Sequence, residues 1–143
     1  MYDQNGRKTN KCSLQVLGFP SNQFYRQEPA KEHEIMNCLR YVRPGKGYIP
    51  KFELFSKVDV NGEDAIGLYK WLKYMCPRPT QKISFTKYVP WTPIMTTDIE
   101  WNFEEFLLDH KGRPIRRFSA DTLPLEYEND IKRAIDACKK DSM

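Results

Sequence analysis

Leu14–Phe24 reads LQVLGFPSNQF, and this stretch decides how the rest of the chain is arranged. Its short apolar start, Leu14–Leu17, stands next to glycine and proline, which predicts a buried strand rather than a helix. Pro20 has no N–H to donate to a sheet, so the strand should end just before it. Ligands meet an α/β sheet in the loop beyond the carboxyl end of a strand, so Asn22 and Gln23 are candidate site residues. A simple turn that caps the strand would account for the same letters.

The remaining hydrophobic spacing predicts three helices and one β-hairpin. Apolar side chains recur at helical spacing in three segments: 31–42, 63–75 and 126–140. Two strands, 103–108 and 114–118, are joined by a turn that contains Gly112. The order strand, helix, helix, hairpin, helix indicates an α/β layered domain. A chain of 143 residues has the length of one domain, so residues 1–143 are expected to fold as a single unit.

Charge and composition argue against several classes of function. The net charge is only +4, and Lys and Arg are interspersed with Asp and Glu, unlike the basic stripe of a nucleic-acid-binding surface. No apolar run approaches the roughly 20 residues of a membrane span. No Cys-x-x-Cys pair occurs and neither histidine lies near a cysteine, so no metal site is predicted. The wide spacing of the four cysteines favours free thiols over a disulfide framework: Cys12, Cys38, Cys76 and Cys138.

A second informative stretch, Asp98–Leu107 (DIEWNFEEFL), leads into the first strand of the hairpin. Trp101 and Asn102 place an indole N–H donor beside a carboxamide there. Taken alone, Trp101 is more simply explained as a core aromatic whose N–H is satisfied inside the protein. The pair acquires a functional meaning only together with the other motifs.

Four stretches, taken in order, resemble the glutathione peroxidase family. LGFPSNQF at 17–24 is followed by YVRPG at 41–45, KVDVNGE at 57–63 and WNFE at 101–104, at the family's usual spacings. The resemblance runs from about Leu14 into the final helix. It implies an α/β fold with a thioredoxin-like sheet of the glutathione peroxidase type and flanking helices, lacking the first strand or strands of the family fold.

The resemblance also implies an antioxidant oxidoreductase. Such a peroxidase reduces hydrogen peroxide and organic hydroperoxides with two molecules of glutathione, in the response to oxidative stress. In the family a selenocysteine or cysteine attacks the peroxide, and a Gln, a Trp and an Asn hold and activate it. The matching positions here are Gln23, Trp101 and Asn102. Neutral donors around sulfur or selenium favour its anionic, nucleophilic form. Donors fixed before the reaction need no reorganisation when charge moves to the leaving oxygen.

Glutathione is anionic, and the resemblance implies that three arginines help to bind it: Arg43, Arg116 and Arg117. A guanidinium group pairs well with a carboxylate through two parallel hydrogen bonds. For Arg116 and Arg117 the alternative, solvated charge on an edge strand, is equally well supported. No bound cofactor is implied, because glutathione enters as a reducing co-substrate.

The family's nucleophile has no counterpart in these residues. It stands on a strand and loop one helix before the Gly-Phe-Pro stretch, and none of the four cysteines matches that position. We therefore expect the full-length protein to carry a selenocysteine ahead of Met1, which would be an internal methionine that follows a UGA codon read as a stop. Met1–Gln4 would then end the family's first helix. The alternative is a catalytically dead thioredoxin-like protein that binds thiols or partner subunits.

One loop narrows the resemblance to a branch of the family. Arg43–Tyr48 (RPGKGY) resembles the Pro-Gly-Gly-Gly insertion of the tetrameric, glutathione-using members, which implies a homotetramer and favours selenium. Segment 52–63 has no cysteine, which disfavours the thioredoxin-dependent members and their resolving cysteine. The compartment stays open between the cytosol and the extracellular space.

Overall fold

The computed structural model describes residues 12–78 and 89–142, and the expectation that Met1–Gln4 end a helix lies outside them. The described residues contain these elements in order: β1 (Leu17–Gly18), α1 (Glu32–Tyr41), β2 (Glu53–Leu54), α2 (Gly67–Met75), β3 (Glu105–Leu108), β4 (Pro114–Phe118), a 3-10 turn (Pro124–Tyr127) and α3 (Glu128–Asp141). The three predicted helices and the predicted hairpin are confirmed. Within the described residues, none of the helices is both long enough and apolar enough to cross a membrane.

Helix α1 begins and ends where its local sequence dictates. The carboxylate of Glu34 accepts the N–H of Lys31 at 2.7 Å, which satisfies one of the free donors at the helix start. At the other end Val42 is extended, with φ of −105 and ψ of 134. Pro44 follows closely and cannot continue the helical ladder. The buried side of α1 is carried by Ile35.

Helix α2 begins four residues later than the sequence predicts. The N–H of Ala65 donates to the carbonyl of Gly62 at 3.4 Å, and the N–H of Ile66 donates to the carbonyl of Asp59 at 3.0 Å. These turn contacts use the backbone groups that a helix starting at Glu63 would need. The helix therefore starts at Gly67, once the turn is complete.

Strand β1 is shorter and more exposed than the sequence predicts. Only Leu17 and Gly18 pair with β2, in parallel, opposite Glu53 and Leu54. The side chains of Leu14 and Leu17 are 50% and 49% exposed, so the prediction of a buried strand here is wrong. The reason is that β2 is the only strand paired with β1 within the described residues, which leaves the other edge uncovered.

The chain after β2 runs beside the residues that follow β1. The N–H of Phe55 donates to the carbonyl of Gly18 at 2.8 Å, and the N–H of Val58 donates to the carbonyl of Pro20 at 2.9 Å. The ring of Phe19 stacks on that of Phe55 with centroids 4.6 Å apart. These contacts hold the residues that follow β1 beside those that follow β2, and both segments continue into the core.

Three distant segments meet in one buried cluster of Phe24, Val60 and Ile99. Half-buried side chains pack around it: Val58, Tyr69, Trp91 and Phe106. Each fully buried apolar side chain of this size contributes about 1.5–3 kcal/mol relative to an exposed one. The cluster joins the loop after β1, the segment after β2 and the segment before β3. The first and last of these carry the predicted catalytic residues Gln23, Trp101 and Asn102.

Gly62 allows two of these segments to approach each other. Its φ of +79 lies in the left-handed region, and a Cβ at this position would stand 2.8 Å from the Cβ of Trp91. The N–H of the next residue, Glu63, donates to the carbonyl of Thr92 at 2.9 Å. Glycine is therefore required here by both conformation and space.

The antiparallel hairpin of β3 and β4 places Glu105 opposite Phe118. Asp109 closes its turn, because Oδ1 accepts the N–H groups of Lys111 and Arg113 at 2.9 Å each. Its Oδ2 accepts the side-chain Nε–H of Arg113 at 2.8 Å. These contacts, the backbone hydrogen bond from Arg113 first, lower the pKa of Asp109 to about 2.

A disulfide joins Cys12 to Cys138, which corrects the expectation of free thiols for this pair. It connects the start of the described chain to α3 across 126 residues of sequence. Sequence spacing alone could not indicate it, because the pairing depends on how the fold brings the two ends together. Cys38 and Cys76 are free, as expected.

We expect the disulfide to be a major contributor to stability, because it restricts a very long loop in the unfolded chain. Replacing Cys138 by Ser should lower the free energy of unfolding in non-reducing urea by about 2–5 kcal/mol. The control Cys38→Ser should unfold like the unmodified chain. Thiol titration of the denatured, unreduced protein should count only Cys38 and Cys76; a count that includes Cys12 and Cys138 would contradict the pairing.

Asp109 should make stability depend on acid pH. Its folded pKa of about 2 lies below its ordinary value of 3.8. The ionised carboxylate therefore stabilises the fold above about pH 4, and this contribution is lost as the pH falls through about 2. The melting temperature of the unmodified chain should exceed that of Asp109→Asn at pH 6, and the difference should shrink toward pH 2. The exposed control Asp64→Asn should show a difference near zero throughout, and a constant gap for Asp109→Asn would refute the assignment.

Candidate active site

Residues 22–27, the tip loop, follow β1 and form a tight turn. The N–H of Gln27 donates to the carbonyl of Phe24 at 3.1 Å. Tyr25 and Arg26 have φ values of +52 and +53, in the left-handed region. That conformation costs a non-glycine residue about 1–2 kcal/mol, so other contacts must hold the loop in place. The buried side chain of Phe24 supplies some of them.

The side-chain amide of Gln23 supplies further contacts. Its Oε1 accepts the N–H groups of Val60 and Asn61 at 2.9 Å each, and its Nε2 donates to the carbonyl of Asn61 at 2.9 Å. Two N–H groups pointing at one atom identify that atom as the oxygen, which settles the orientation of the amide. Gln23 is 9% exposed and faces inward. The second N–H of Nε2 has no acceptor among the described residues.

Trp101 and Asn102 lie against the tip loop. The indole ring of Trp101 contacts the rings of Phe24 and Tyr25, with centroids 6.0 and 5.2 Å apart. The Nδ2 of Asn102 donates to the Oε1 of Gln27 at 2.7 Å, across 75 residues of sequence. Trp101 is 37% exposed, and its Nε1 forms no hydrogen bond within the described part of the chain. The tip loop and this Trp-Asn pair therefore form one continuous surface.

This surface can present neutral N–H donors to a ligand. Nε1 of the partly exposed Trp101 and Nε2 of the buried Gln23 each have an N–H without a partner among the described residues. The half-buried Asn102 donates from its amide to Gln27. Such groups stabilise negative charge without carrying a charge of their own. The Oδ1 of Asn22, also on the tip loop, is buried and has no partner among the described residues. The N–H donors suit an anionic or strongly polarised ligand, whereas the oxygen of Asn22 can only accept a hydrogen bond.

Two of the three predicted glutathione-binding arginines are exposed. Arg43 follows α1 and forms no ion pair within residues 12–78 and 89–142. Arg116 lies on β4, with its Nη1 3.6 Å from an oxygen of Asp130 and its guanidinium carbon 5.7 Å from the centre of the Phe118 ring. A long, exposed ion pair of this kind is weak, so Arg116 keeps most of its capacity to bind an anion. The structure records no contact between either arginine and the tip loop.

Arg117 is buried, unlike Arg43 and Arg116, so it no longer counts among the arginines that could bind glutathione. Its side chain is 1% exposed and pairs with Glu104. Its terminal nitrogens donate to the carbonyls of Thr97 and Asp98 at 2.9 Å each, and to that of Cys76 at 3.3 Å. Strand β4 turns successive side chains to opposite faces, so Arg116 faces solvent while its neighbour is buried. Arg117 is engaged within the fold and is not available to glutathione.

A buried polar network beneath the surface was not predicted. Lys73 donates from Nζ to the Oδ1 of Asp98 at 3.0 Å and to the Oδ1 of Asn61 at 3.1 Å. The other carboxylate oxygen of Asp98 accepts the indole N–H of Trp91 at 2.8 Å and the N–H of Met95 at 2.9 Å. Each polar atom that leaves water is thereby satisfied within the protein.

Some members of this network carried a signal in the sequence and others did not. Asn61 and Asp98 both stand inside the motifs that carry the resemblance, VNG and DIEWNFE. Lys73 carried none, because a lysine on an amphipathic helix is ordinarily solvated. Its neighbour Leu72 is one of the apolar residues of this predicted helix, and it is buried. A helix can bury a lysine side chain only where a partner of opposite charge, here Asp98, pairs with its ammonium group.

The described cysteines do not provide a reactive thiolate at this surface. Cys12 and Cys138 are joined to each other. Burial raises the pKa of the Cys76 thiol, and the nearby Arg117 and Arg116 only partly offset that effect. Cys38 lies on α1, outside the tip loop. Within residues 12–78 and 89–142 no group of three or more His, Cys, Asp or Glu is arranged to hold a metal ion.

Sequence comparisons identify relatives over most of the chain. The family model described as glutathione peroxidase matches residues 3–73. Glutathione peroxidase 1 of Bos taurus is 45% identical over 130 residues, which make up 88% of this chain and 63% of that protein. The epididymal secretory glutathione peroxidase of Sus scrofa is 48% identical over 118 residues, 82% of this chain and 54% of that protein. The chain thus spans between half and two thirds of the length of these curated relatives.

Solved structures resemble the fold as well. The crystal structure of T. cruzi GPX1 matches with a TM-score of 0.56 and 27% identity, over 85% of this chain and 60% of that one. The crystal structure of Trgpx in its apo form matches with a TM-score of 0.54 and 30% identity, over 85% of this chain and 57% of that one. The α/β, thioredoxin-like fold expected from the motifs is confirmed by these neighbours.

Gln23 should be essential for the stability of the tip loop. In Gln23→Ala the N–H groups of Val60 and Asn61 and one carbonyl lose their partner in a buried place, which should lower the free energy of unfolding by about 1–3 kcal/mol. The control Gln27→Ala removes an exposed amide from the same loop and should change it by less than about 0.5 kcal/mol. Equal losses in urea unfolding would show that the Gln23 contacts are not the ones that hold the loop.

Proposed function

The chain belongs to the glutathione peroxidase family, and we propose that the whole protein is a peroxidase that reduces hydrogen peroxide and organic hydroperoxides with glutathione. The observation that carries the proposal is the meeting of the tip loop with Trp101 and Asn102, through ring contacts and the hydrogen bond from Asn102 to Gln27. Motifs far apart in sequence thus come together where the proposed chemistry needs them.

The proposed role of this surface is to stabilise charge. Gln23, Trp101 and Asn102 would donate N–H groups to the reacting chalcogen and to the peroxide oxygen that leaves as charge develops on it. Because these donors are held by the fold before reaction, little reorganisation accompanies the charge shift. Gln23 Nε2 and the indole Nε1 of Trp101 each keep an N–H without a partner within residues 12–78 and 89–142, which suits this role.

The nucleophile is proposed to be a selenocysteine or cysteine in the part of the relatives' length that these 143 residues do not span. When present, it supplies the thiolate or selenolate that attacks the peroxide. The selenium form is favoured by the resemblance of the loop at 43–48 to that of tetrameric members. Residues 1–143 would form a single thioredoxin-like domain of that protein.

Glutathione is proposed to bind as a co-substrate through exposed guanidinium groups. Arg43 and Arg116 remain from the set predicted by the resemblance, and each can form a two-pronged pair with a carboxylate of the tripeptide. The loop that begins at Arg43 also contains Tyr48, which is 52% exposed. A homotetramer, implied by the resemblance of this loop to that of the tetrameric members, is part of the proposal.

The proposal is tested on native protein purified from its source. We expect an intact mass above 17.0 kDa, one selenium per chain, a tetramer by light scattering, and glutathione-dependent consumption of hydrogen peroxide. Loss of turnover after boiling serves as the baseline. Native protein of 17.0 kDa without selenium or peroxide turnover would instead make it a catalytically dead thioredoxin-like protein.

Trp101→Phe should slow the reaction of the full-length protein with peroxide by about 100-fold, because one preorganised donor is lost. Trp71→Phe is the matched control, since the two tryptophans are 37% and 39% exposed and Trp71 lies on α2, away from the tip loop. Stopped-flow rates with hydrogen peroxide measure both. Equal rates for the two variants would remove Trp101 from the proposed site.

A further inference from the structure

Asn61 lies between the two segments that carry the proposed donors and contacts both. It is fully buried, with 0% exposure. Its backbone N–H and carbonyl form the two hydrogen bonds to the side chain of Gln23, at 2.9 Å each. Its side chain pairs with the backbone of Ile99, because Nδ2 donates to the carbonyl and Oδ1 accepts the N–H, each at 2.8 Å. One residue thus joins the tip loop to the chain just before Trp101.

The orientation of the Asn61 side chain is completely determined by its partners. Its Oδ1 accepts a second hydrogen bond, from Nζ of Lys73 at 3.1 Å. Lys73 is in turn held by Asp98, whose Oδ1 lies 3.0 Å from the same nitrogen. Two donors on one atom identify it as the amide oxygen, so the opposite orientation of the amide would leave both without an acceptor. Asn61 therefore cannot shift without breaking several buried hydrogen bonds at once.

The connection between the proposed donors is short. Gln23 is bonded directly to the backbone of Asn61, and Ile99 is bonded directly to its side chain. Trp101 follows Ile99 by two residues in the sequence. Hydrogen bonds are directional, and a displacement of about 1 Å in a reacting arrangement costs on the order of 100-fold in rate.

We propose that Asn61 is a positioning residue for peroxide reduction, which fixes Gln23 relative to Trp101 and Asn102 without touching substrate. This inference rests on the proposed function, and it adds the physical device that holds the donors at their spacing. Lys73 and Asp98 support Asn61 from below. The peroxide step depends on that spacing, whereas the binding of glutathione by exposed arginines does not.

The kinetic test uses the full-length protein and separates its two half-reactions. Asn61→Ala should lower the second-order rate constant for hydrogen peroxide by about 10- to 100-fold. The rate constant for reduction by glutathione should stay within about twofold of the unmodified protein's, because the exposed arginines are unaffected. All rates are measured well below the melting temperature of each variant.

Ile35→Ala is the matched control for lost stability. Ile35 is 3% exposed on α1 and belongs neither to the tip loop nor to the network of Asn61, so its truncation destabilises the core outside the site. A loss of the peroxide step in Asn61→Ala that Ile35→Ala does not share supports the inference. Equal losses in the two variants, or equal losses in both half-reactions of Asn61→Ala, overturn it.

A second variant is used if Asn61→Ala does not fold, and a second measurement is used if the unmodified protein has no peroxide turnover. Asn61→Asp has nearly the same shape and keeps the two acceptor contacts, but it replaces the N–H given to Ile99 with an oxygen and adds a carboxylate beside Lys73. If Asn61→Ala does not fold, the same comparison is made with Asn61→Asp. The indole N–H resonance of Trp101, assigned by Trp101→Phe, should shift in the Asn61 variants and not in Ile35→Ala. If the unmodified protein lacks peroxide turnover, the proposed function fails. The indole resonance then tests only whether Asn61 positions Trp101. A shifted resonance in the Asn61 variants supports that role, and an unshifted resonance overturns it.

Discussion

Lys73 and Asp98 form a charged pair whose side chains are only 8% and 7% exposed, and the structure around the site depends on it. A charge removed from water persists only when it is paired and its remaining hydrogen bonds are satisfied. Asp98 meets that condition by accepting the indole N–H of Trp91 and the N–H of Met95 with its second oxygen. Segment 91–98 contains neither helix nor strand. Its backbone conformation is fixed by these hydrogen bonds to Asp98.

A second buried pair, Arg117 with Glu104, holds the neighbouring residues from the other side. Arg117 donates to the carbonyls of Thr97 and Asp98, and the second oxygen of Glu104 accepts the N–H of Glu100 at 2.7 Å. Backbone groups that would otherwise be buried without a partner are satisfied in this way. Apolar packing of similar volume would stabilise the fold at least as well. We therefore interpret the two ion pairs as interactions that fix one backbone conformation for residues 97–100, just before Trp101 and Asn102.

The parts of the fold that depend on neighbouring residues could be predicted from the sequence. The hairpin turn follows from Gly112 and the alternation around it, and the helices follow from their spacing. The parts that depend on distant residues could not. The disulfide of Cys12 and Cys138 spans 126 residues, and the burial of Arg117 depends on what packs over one face of β4. The motif assigned Gln23 to the site, but its inward hydrogen bonds became visible only in three dimensions.

The net charge of the scaffold bears on the chemistry proposed for it. Lys73 with Asp98 and Arg117 with Glu104 are each neutral overall, so these two pairs add dipoles but no net charge to the buried network. A cation next to the nucleophile would increase the anionic fraction, but it would also lower the pKa and with it the intrinsic nucleophilicity of the anion. Neutral donors avoid much of that loss and act most strongly where charge develops during the reaction. Under the proposed function, pairing Lys73 with Asp98 and Arg117 with Glu104 leaves the stabilisation of the reacting atoms to N–H groups.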